Sequence, residues 1–184
     1  MRIIIVGLVA FLSLSISAQT KVSGVTVPAQ PQAAQGLVMN GIGVRVKYFM
    51  DMYVGALYLK TKSTEAAPII VADEPMVIRL QIVSSLVSSD VMKEAVNEGF
   101  EKSTGGNTAV IKTEIQKFME AFNEPIKKGD VFEIAYVPGT GITVYKNGTA
   151  KKTIAGLPFK KALFGIWLGA KPAQEDLKKG LLGK

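Results

Sequence analysis

One arginine is the residue most able to do chemistry. Arg45 follows Asn40-Gly41-Ile42-Gly43-Val44 in a run of β-forming residues. Strict strand alternation places it on the same face as three apolar residues, Leu37, Met39 and Phe49, although a bulge at the glycines would change this register. An arginine on an apolar face needs an anionic partner, because an isolated buried charge is very costly.

Two interpretations of Arg45 remain open at this point. In the first, Arg45 pairs with an internal carboxylate or lies on an exposed sheet edge. In the second, its planar guanidinium lies at the base of a cleft, where it can bind a carboxylate or a phenolate.

Two residue types that carry much enzyme chemistry are missing. The sequence has no histidine, which removes the commonest general base and the commonest transition-metal ligand. It also has no cysteine, so there is no thiol nucleophile, no thiolate metal site and no lipid attachment through an N-terminal cysteine. These absences disfavour serine-triad, zinc and haem-type functions, and we expect no cofactor and no metal.

The paired glycines before Arg45 do not form a dinucleotide-binding fingerprint. A third glycine is missing, and the residues that follow continue as strand instead of opening a helix. Gly41 and Gly43 therefore indicate a bulge or the close approach of another backbone.

The formal net charge is +7, and much of the excess lies in short lysine pairs. We interpret these pairs first as solvated surface and second as a patch for an anionic membrane or polymer. No basic run carries interleaved aromatic residues, so nucleic acid is not an expected partner. The pairs are Lys127-Lys128, Lys151-Lys152, Lys160-Lys161 and Lys178-Lys179.

The first 18 residues have the pattern of a cleavable secretory signal. Arg2 precedes an apolar run, and Ser17-Ala18-Gln19 supplies small residues for cleavage after Ala18. The run is shorter than the roughly 20 residues that a spanning helix needs. Cleavage would leave residues 19–184 as a single domain that is exported, soluble and periplasmic, with no second apolar stretch to span a membrane.

Residue patterns further along the chain predict an α+β domain, with an antiparallel sheet and a layer of helices packed on one face. Strands are predicted where apolar residues alternate or turn residues intervene, at 22–27, 37–50, 52–60, 76–84, 131–137, 142–146 and 149–154. Helices are predicted at 64–71, 89–102, 108–123, from 159 to 167 and at 173–182.

Several motifs together resemble those of the chalcone isomerase-like family, especially its exported bacterial branch. The resemblance covers essentially the whole predicted mature chain, and its first and last motifs are the most specific. They are residues 40–45, 53–59, 128–130, 138–141, 163–169 and 176–178.

This resemblance implies an antiparallel sheet, a layer of helices against it and a ligand cleft between them. Family members that isomerise chalcones close a flavanone ring by intramolecular attack of a phenolate. Their arginine stabilises the oxyanion, with help from a tyrosine, threonines and an asparagine. Relatives without this activity bind fatty acids and hold the carboxylate with the arginine.

Only the arginine of that constellation is retained in this chain. Arg45 matches it, whereas the threonine position of the second strand is Tyr53. The helix positions for the tyrosine and the asparagine are Val91 and Glu98, and the C-terminal threonine position falls near Ile166. Chalcone cyclisation is therefore not expected.

The resemblance leads to a principal hypothesis of a non-catalytic protein that binds a small apolar carboxylate, a fatty acid or a similar lipid. Arg45 would hold the carboxylate, and Tyr53, Tyr58 and Phe100 would line the tail. The simpler alternative is that large aromatics such as Tyr58 and Phe100 belong to the core.

Two other hypotheses stay open. One is an isomerase or intramolecular lyase on an unknown substrate, with Arg45 as electrophile and Tyr53 or Glu98 as proton relay, although a surface glutamate needs no function. The other is a structural or partner-binding envelope protein that uses its basic face.

Overall fold

An antiparallel sheet of six strands in sequential order forms the centre of the protein. The computed structural model describes residues 20–184, so the predicted signal sequence lies outside the described residues. A separate hairpin of β1 (Thr20–Val22) and β2 (Val25–Val27) comes first. The sheet strands follow as β3 (Val38–Lys47), β4 (Met50–Leu59), β5 (Met76–Ile82), β6 (Val131–Val137), β7 (Gly141–Lys146) and β8 (Thr149–Ile154).

In the part of the chain that the structure describes, five α-helices connect or follow these strands, and the α+β prediction is confirmed. They are α1 (Ala66–Val71), α2 (Ser89–Ser103), α3 (Lys112–Met119), α4 (Leu157–Leu168) and α5 (Glu175–Leu181). Short 3₁₀ turns flank α3 at Ala109–Ile111 and Glu120–Phe122, where the sequence predicts one continuous helix. Within residues 20–184, no helix is both long and apolar enough to cross a membrane.

The main core lies between the sheet and the helices. On β5 the alternating residues Met76, Ile78, Leu80 and Ile82 all belong to this core, as their spacing predicts. Each is at most 2% exposed, and burial of a side chain of this size contributes roughly 1.5–3 kcal/mol. The requirement to cover this apolar face holds α2 and α4 against the sheet.

The opposite face of the sheet is covered by the segment between β1 and β3. The hydroxyl of Tyr58 donates to the Pro28 carbonyl oxygen at 2.8 Å. Glu133 accepts the backbone N–H groups of Gln32 at 3.2 Å and Ala33 at 2.7 Å, and it pairs with Arg79 at 3.5 Å. Glu133 therefore holds the N-terminal segment on the face away from the helices, and Arg79 balances the charge of Glu133.

The hairpin between β3 and β4 differs from its prediction. The sequence predicts a strand over 37–50 with a bend at Asp51, whereas β3 ends at Lys47 and the chain reverses at Tyr48-Phe49. Both turn residues are left-handed, with φ of 53° and 62°, and Phe49 is fully exposed instead of sharing a face with Arg45. The turn was missed because large aromatic residues rarely adopt this conformation.

The Lys160-Lys161 pair is predicted to be solvated surface, but Lys160 is fully buried. Its ammonium donates to the carbonyl oxygens of Ile69 at 2.8 Å, Ile70 at 2.9 Å and Ala72 at 2.8 Å. These groups lie at the C-terminal end of α1, where a cation is favourable. Burial, with some repulsion from Lys161, lowers the pKa of Lys160 to about 8.

We expect Lys160→Met to lower the free energy of unfolding by about 3 kcal/mol, because three carbonyl oxygens lose their donor inside the protein. The matched control is Lys161→Met, which removes the same charge from a partly exposed neighbour and should change stability by about 0.5 kcal/mol or less. Urea denaturation of both variants measures the difference. Equal effects would show that the three hydrogen bonds do not support α1.

Candidate functional site

A small cavity lies between the sheet and the helices α2 and α4. Its inner wall is apolar: β5 contributes Leu80, α2 contributes Met92 and Val96, and α4 contributes Ile166 and Trp167. Each of these side chains is at most 6% exposed. The cavity volume is about 70 Å³.

The mouth of the cavity is polar and charged. Arg45 and Tyr53 reach it from the sheet, and Ala95, Glu98 and Lys102 reach it from α2. A cavity with an apolar wall and a few convergent polar groups is the usual form of a small-molecule site.

The guanidinium of Arg45 is bound to neutral oxygens. Its Nη1 atom donates to the backbone oxygen of Val46 at 2.8 Å and to Oε1 of Gln174 at 3.1 Å. Across residues 20–184, no carboxylate lies within the 4.0 Å that defines an ion pair with Arg45. Arg45 is half-buried at the mouth, so its positive charge is available to an anion that enters the cavity.

Tyr53 supplies a second hydrogen-bond donor beside Arg45, its partner across β3 and β4. The Tyr53 hydroxyl oxygen accepts the indole N–H of Trp167 at 3.1 Å, and no acceptor among the described residues takes its proton. Burial raises the pKa of Tyr53, while the Trp167 hydrogen bond and the Arg45 charge oppose this effect. The phenol is therefore neutral near pH 7 and suited to donate a hydrogen bond, not to act as a base.

Glu98 is unsuited to relay protons. Its carboxylate pairs with Lys102 at 2.5 Å, one turn along α2, and both side chains are largely exposed. The hydrogen bond and the charge of Lys102 lower the pKa of Glu98, so the carboxylate is ionised at neutral pH. The pair forms a charged rim that is fully open to solvent on one side.

The structure brings together Arg45, Tyr53, Glu98 and Ile166, and it separates Tyr58 from them. Tyr58 lies on the opposite face of the sheet, fully buried under the N-terminal segment. The reason is strand geometry: Tyr53 and Tyr58 are an odd number of residues apart on β4, so their side chains point to opposite faces.

Val91 and Phe100 are also placed away from the cavity. Val91 is 37% exposed, and its neighbour Met92 lines the cavity wall instead. Successive side chains on a helix point in directions that differ by about 100° around its axis. Phe100 is 1% exposed and stacks on Phe159 with ring centroids 5.5 Å apart. It belongs to the core, as the simpler interpretation of the aromatics holds.

Sequence reasoning missed the two residues that hydrogen-bond to the polar groups of the site, as well as several wall residues. Gln174 falls inside the helix predicted at 173–182, and nothing in the sequence links it to Arg45, 129 positions away. Trp167 lies within the motif at residues 163–169. The helical spacing of this motif predicts which face of the helix is buried, but it does not predict the hydrogen bond to Tyr53.

Close contact between α5 and β3 positions Gln174 against Arg45. A Cβ atom on Gly43 would lie 2.7 Å from the Leu177 backbone oxygen, and one on Gly180 would lie 2.4 Å from the Ile42 oxygen. The glycines therefore permit the close backbone approach that the sequence predicts, together with a bulge between Met39 and Gly41. Gln174 directly precedes α5 and also accepts the N–H of Val46 at 2.9 Å.

We expect Gly43→Ala to lower the free energy of unfolding by about 2 kcal/mol, because the new methyl group meets backbone that cannot yield. The matched control is Gly55→Ala, directly opposite on β4, where the nearest atom is the flexible Leu177 Cδ1 at 3.3 Å. Thermal and urea denaturation measure both. Equal stability of the two variants would contradict a backbone contact between α5 and β3.

Comparison with known proteins identifies the family. The model of the chalcone isomerase-like family matches residues 19–183, so the chain belongs to that family. Its fold is similar to the crystal structure of a fatty-acid binding protein of Arabidopsis thaliana, with a TM-score of 0.72 and 18% identity over 90% of this chain and 96% of that chain. Comparison with curated proteins gave no significant match.

Proposed function

We propose that this protein binds a small apolar carboxylate and does not transform it. The observation that supports this most is the half-buried guanidinium of Arg45 at the mouth of an apolar cavity, where its acceptors among residues 20–184 are all neutral. Buried charges are normally paired, and a ligand that covers Arg45 would bury it, so a carboxylate is the favoured partner. The Glu98 carboxylate at the same mouth interacts with Arg45 through its charge but forms its ion pair with Lys102. The fatty-acid binding protein of similar fold supports a lipid-like acid as the class of ligand.

The bound state can be derived from the groups at the mouth. The carboxylate would accept hydrogen bonds from Arg45 and from the free proton of Tyr53, and the tail would lie against Leu80, Ile166 and Trp167. Charge-assisted hydrogen bonds of this kind contribute about 1.5–3 kcal/mol each. Gln174 would keep the guanidinium oriented while the ligand exchanges.

Binding is preferred to catalysis because neither of the two candidate proton relays, Tyr53 and Glu98, is suited to move a proton near neutral pH. Tyr53 is held neutral, and Glu98 is held ionised in an exposed ion pair. Of the two other positions that the family uses for chemistry, Val91 lies outside the cavity and Ile166 has an apolar side chain with no proton to transfer. The isomerase hypothesis has no observation of its own in its favour.

Arg45→Gln should weaken the binding of hexanoate and dodecanoate by about 10- to 100-fold, since it removes one charged donor group. Trp167 is the single tryptophan of the sequence and lines the cavity, so its fluorescence reports binding directly. The matched control is Lys47→Gln, which removes the same charge from the same strand outside the cavity. An equal loss in both variants would mean that general charge, not Arg45, attracts the acid.

A second pair of variants tests the location. Ala95 is exposed and lines the mouth, so Ala95→Trp should block entry without disturbing the core, whereas Asn97→Trp on the same helix lies outside the cavity. Calorimetry is the suitable measurement, because the added indole would obscure Trp167. Undiminished binding by Ala95→Trp would place the ligand elsewhere.

We further propose export to the periplasm with cleavage after Ala18. Support comes from the charged start, the short apolar run and the small residues that precede Gln19. The expected intact mass, measured on protein recovered from the cell envelope fraction, corresponds to residues 19–184. A mass that includes residues 1–18 would contradict cleavage.

A further inference from the structure

The cavity beside Arg45 is much smaller than a site for a long acyl chain. Its volume is about 70 Å³, roughly half of the ~150 Å³ engineered cavity that accommodates benzene. Pockets that hold drug-sized ligands measure about 300–1,000 Å³. Only a short tail or the edge of one ring fits without rearrangement of the walls.

The inner end of the cavity is closed by tight packing between α2 and α4. A Cβ atom on Gly99 would lie 2.7 Å from Cγ2 of Ile166, so the two helices are in contact there. The next residue, Phe100, starts a connected cluster of phenylalanines whose members are at most 1% exposed. Neighbouring rings in that cluster lie 5.3–6.1 Å apart, and its members are Phe100, Phe118, Phe122, Phe132 and Phe159.

Other concave regions cannot extend the tail site. One of about 620 Å³ lies between the N-terminal hairpin, the start of β3 and the end of α5, and it shares no residue with the Arg45 cavity. A smaller one of about 140 Å³ lies beside α1, also with no shared residue. A long chain would therefore have to displace core side chains that are already close-packed.

From this geometry, and resting on the proposed carboxylate binding, we infer that the ligand is a short-chain or single-ring carboxylate instead of a long-chain fatty acid. About three tail carbons fill a volume half of that which holds benzene, and one or two more lie at the mouth, so the tail has about four or five carbons. Ile166 and Met92 are the residues that set this limit, because both are buried side chains of the inner wall and Ile166 packs against Gly99, next to Phe100.

Titration of the full mature chain with butanoate, hexanoate, octanoate, phenylacetate, dodecanoate and hexadecanoate tests this inference. Trp167 fluorescence gives each Kd, with every acid kept below its micelle-forming concentration. Each buried methylene should tighten binding about fourfold while the tail still enters the cavity. We expect this gain from butanoate to about hexanoate, and no further gain, or a loss, for octanoate, dodecanoate and hexadecanoate.

The outcomes separate the two proposals. Affinity that continues to rise fourfold per methylene through hexadecanoate would overturn the chain-length limit and leave carboxylate binding intact. Failure of every acid to bind would overturn both.

A variant pair gives a second measurement of the same limit. Met92→Ala enlarges the cavity, so the acid that binds most tightly to this variant should be longer by about two to three carbons than the one preferred by the unmodified chain. Met119→Ala is the control, because this methionine packs on the same core outside the cavity. An unchanged preference in Met92→Ala would show that Met92 does not set the length.

Discussion

The backbone contact between α5 and β3 determines how the positive charge of the site is held. Gly43 and Gly180 let the two elements approach until only a hydrogen atom fits between them. This contact places Gln174, at the start of α5, against the end of β3. Gln174 then binds Arg45 through a neutral oxygen, which orients the guanidinium without neutralising it. The helix is thus a support for one side chain as much as a cover for the sheet.

The same arrangement supports the proposal that the site recognises an acid and does not transform it. A guanidinium with neutral acceptors keeps its full charge for an incoming anion, and the neutral phenol of Tyr53 can add a hydrogen bond beside it. Burial raises the pKa of Tyr53, so its phenol keeps its proton near pH 7. In the proposed complex, the apolar wall behind them supplies affinity in proportion to the length of tail that it buries. The small volume of the cavity therefore controls the selectivity for tail length.

Much of the fold could be predicted, because it follows from local patterns. Alternation on β5 and the Asn147-Gly148 turn between β7 and β8 depend on short-range rules. The Tyr48-Phe49 turn has the same left-handed conformation without the residues that normally signal it. Lys160 was misassigned because its three acceptors lie about 90 residues earlier in the chain, beyond any local pattern.

The site was predicted in part. Four of the predicted residues lie at one cavity, and their positions were predicted from the resemblance to the family. They are Arg45, Tyr53, Glu98 and Ile166. Tyr58 was included although its odd spacing from Tyr53 places it on the other face of β4. Gln174 could not have been found, since its role depends on the path of α5 across the end of β3.

The most direct measurement of the central claim is a pH titration of carboxyl-labelled hexanoate bound to the protein, followed by carbon NMR. If Arg45 holds the carboxylate, the pKa of the bound acid lies well below that of the free acid, and Arg45→Gln removes most of this difference. A bound acid whose pKa equals or exceeds the free value would contradict the account, because the carboxyl group would then lie away from the guanidinium.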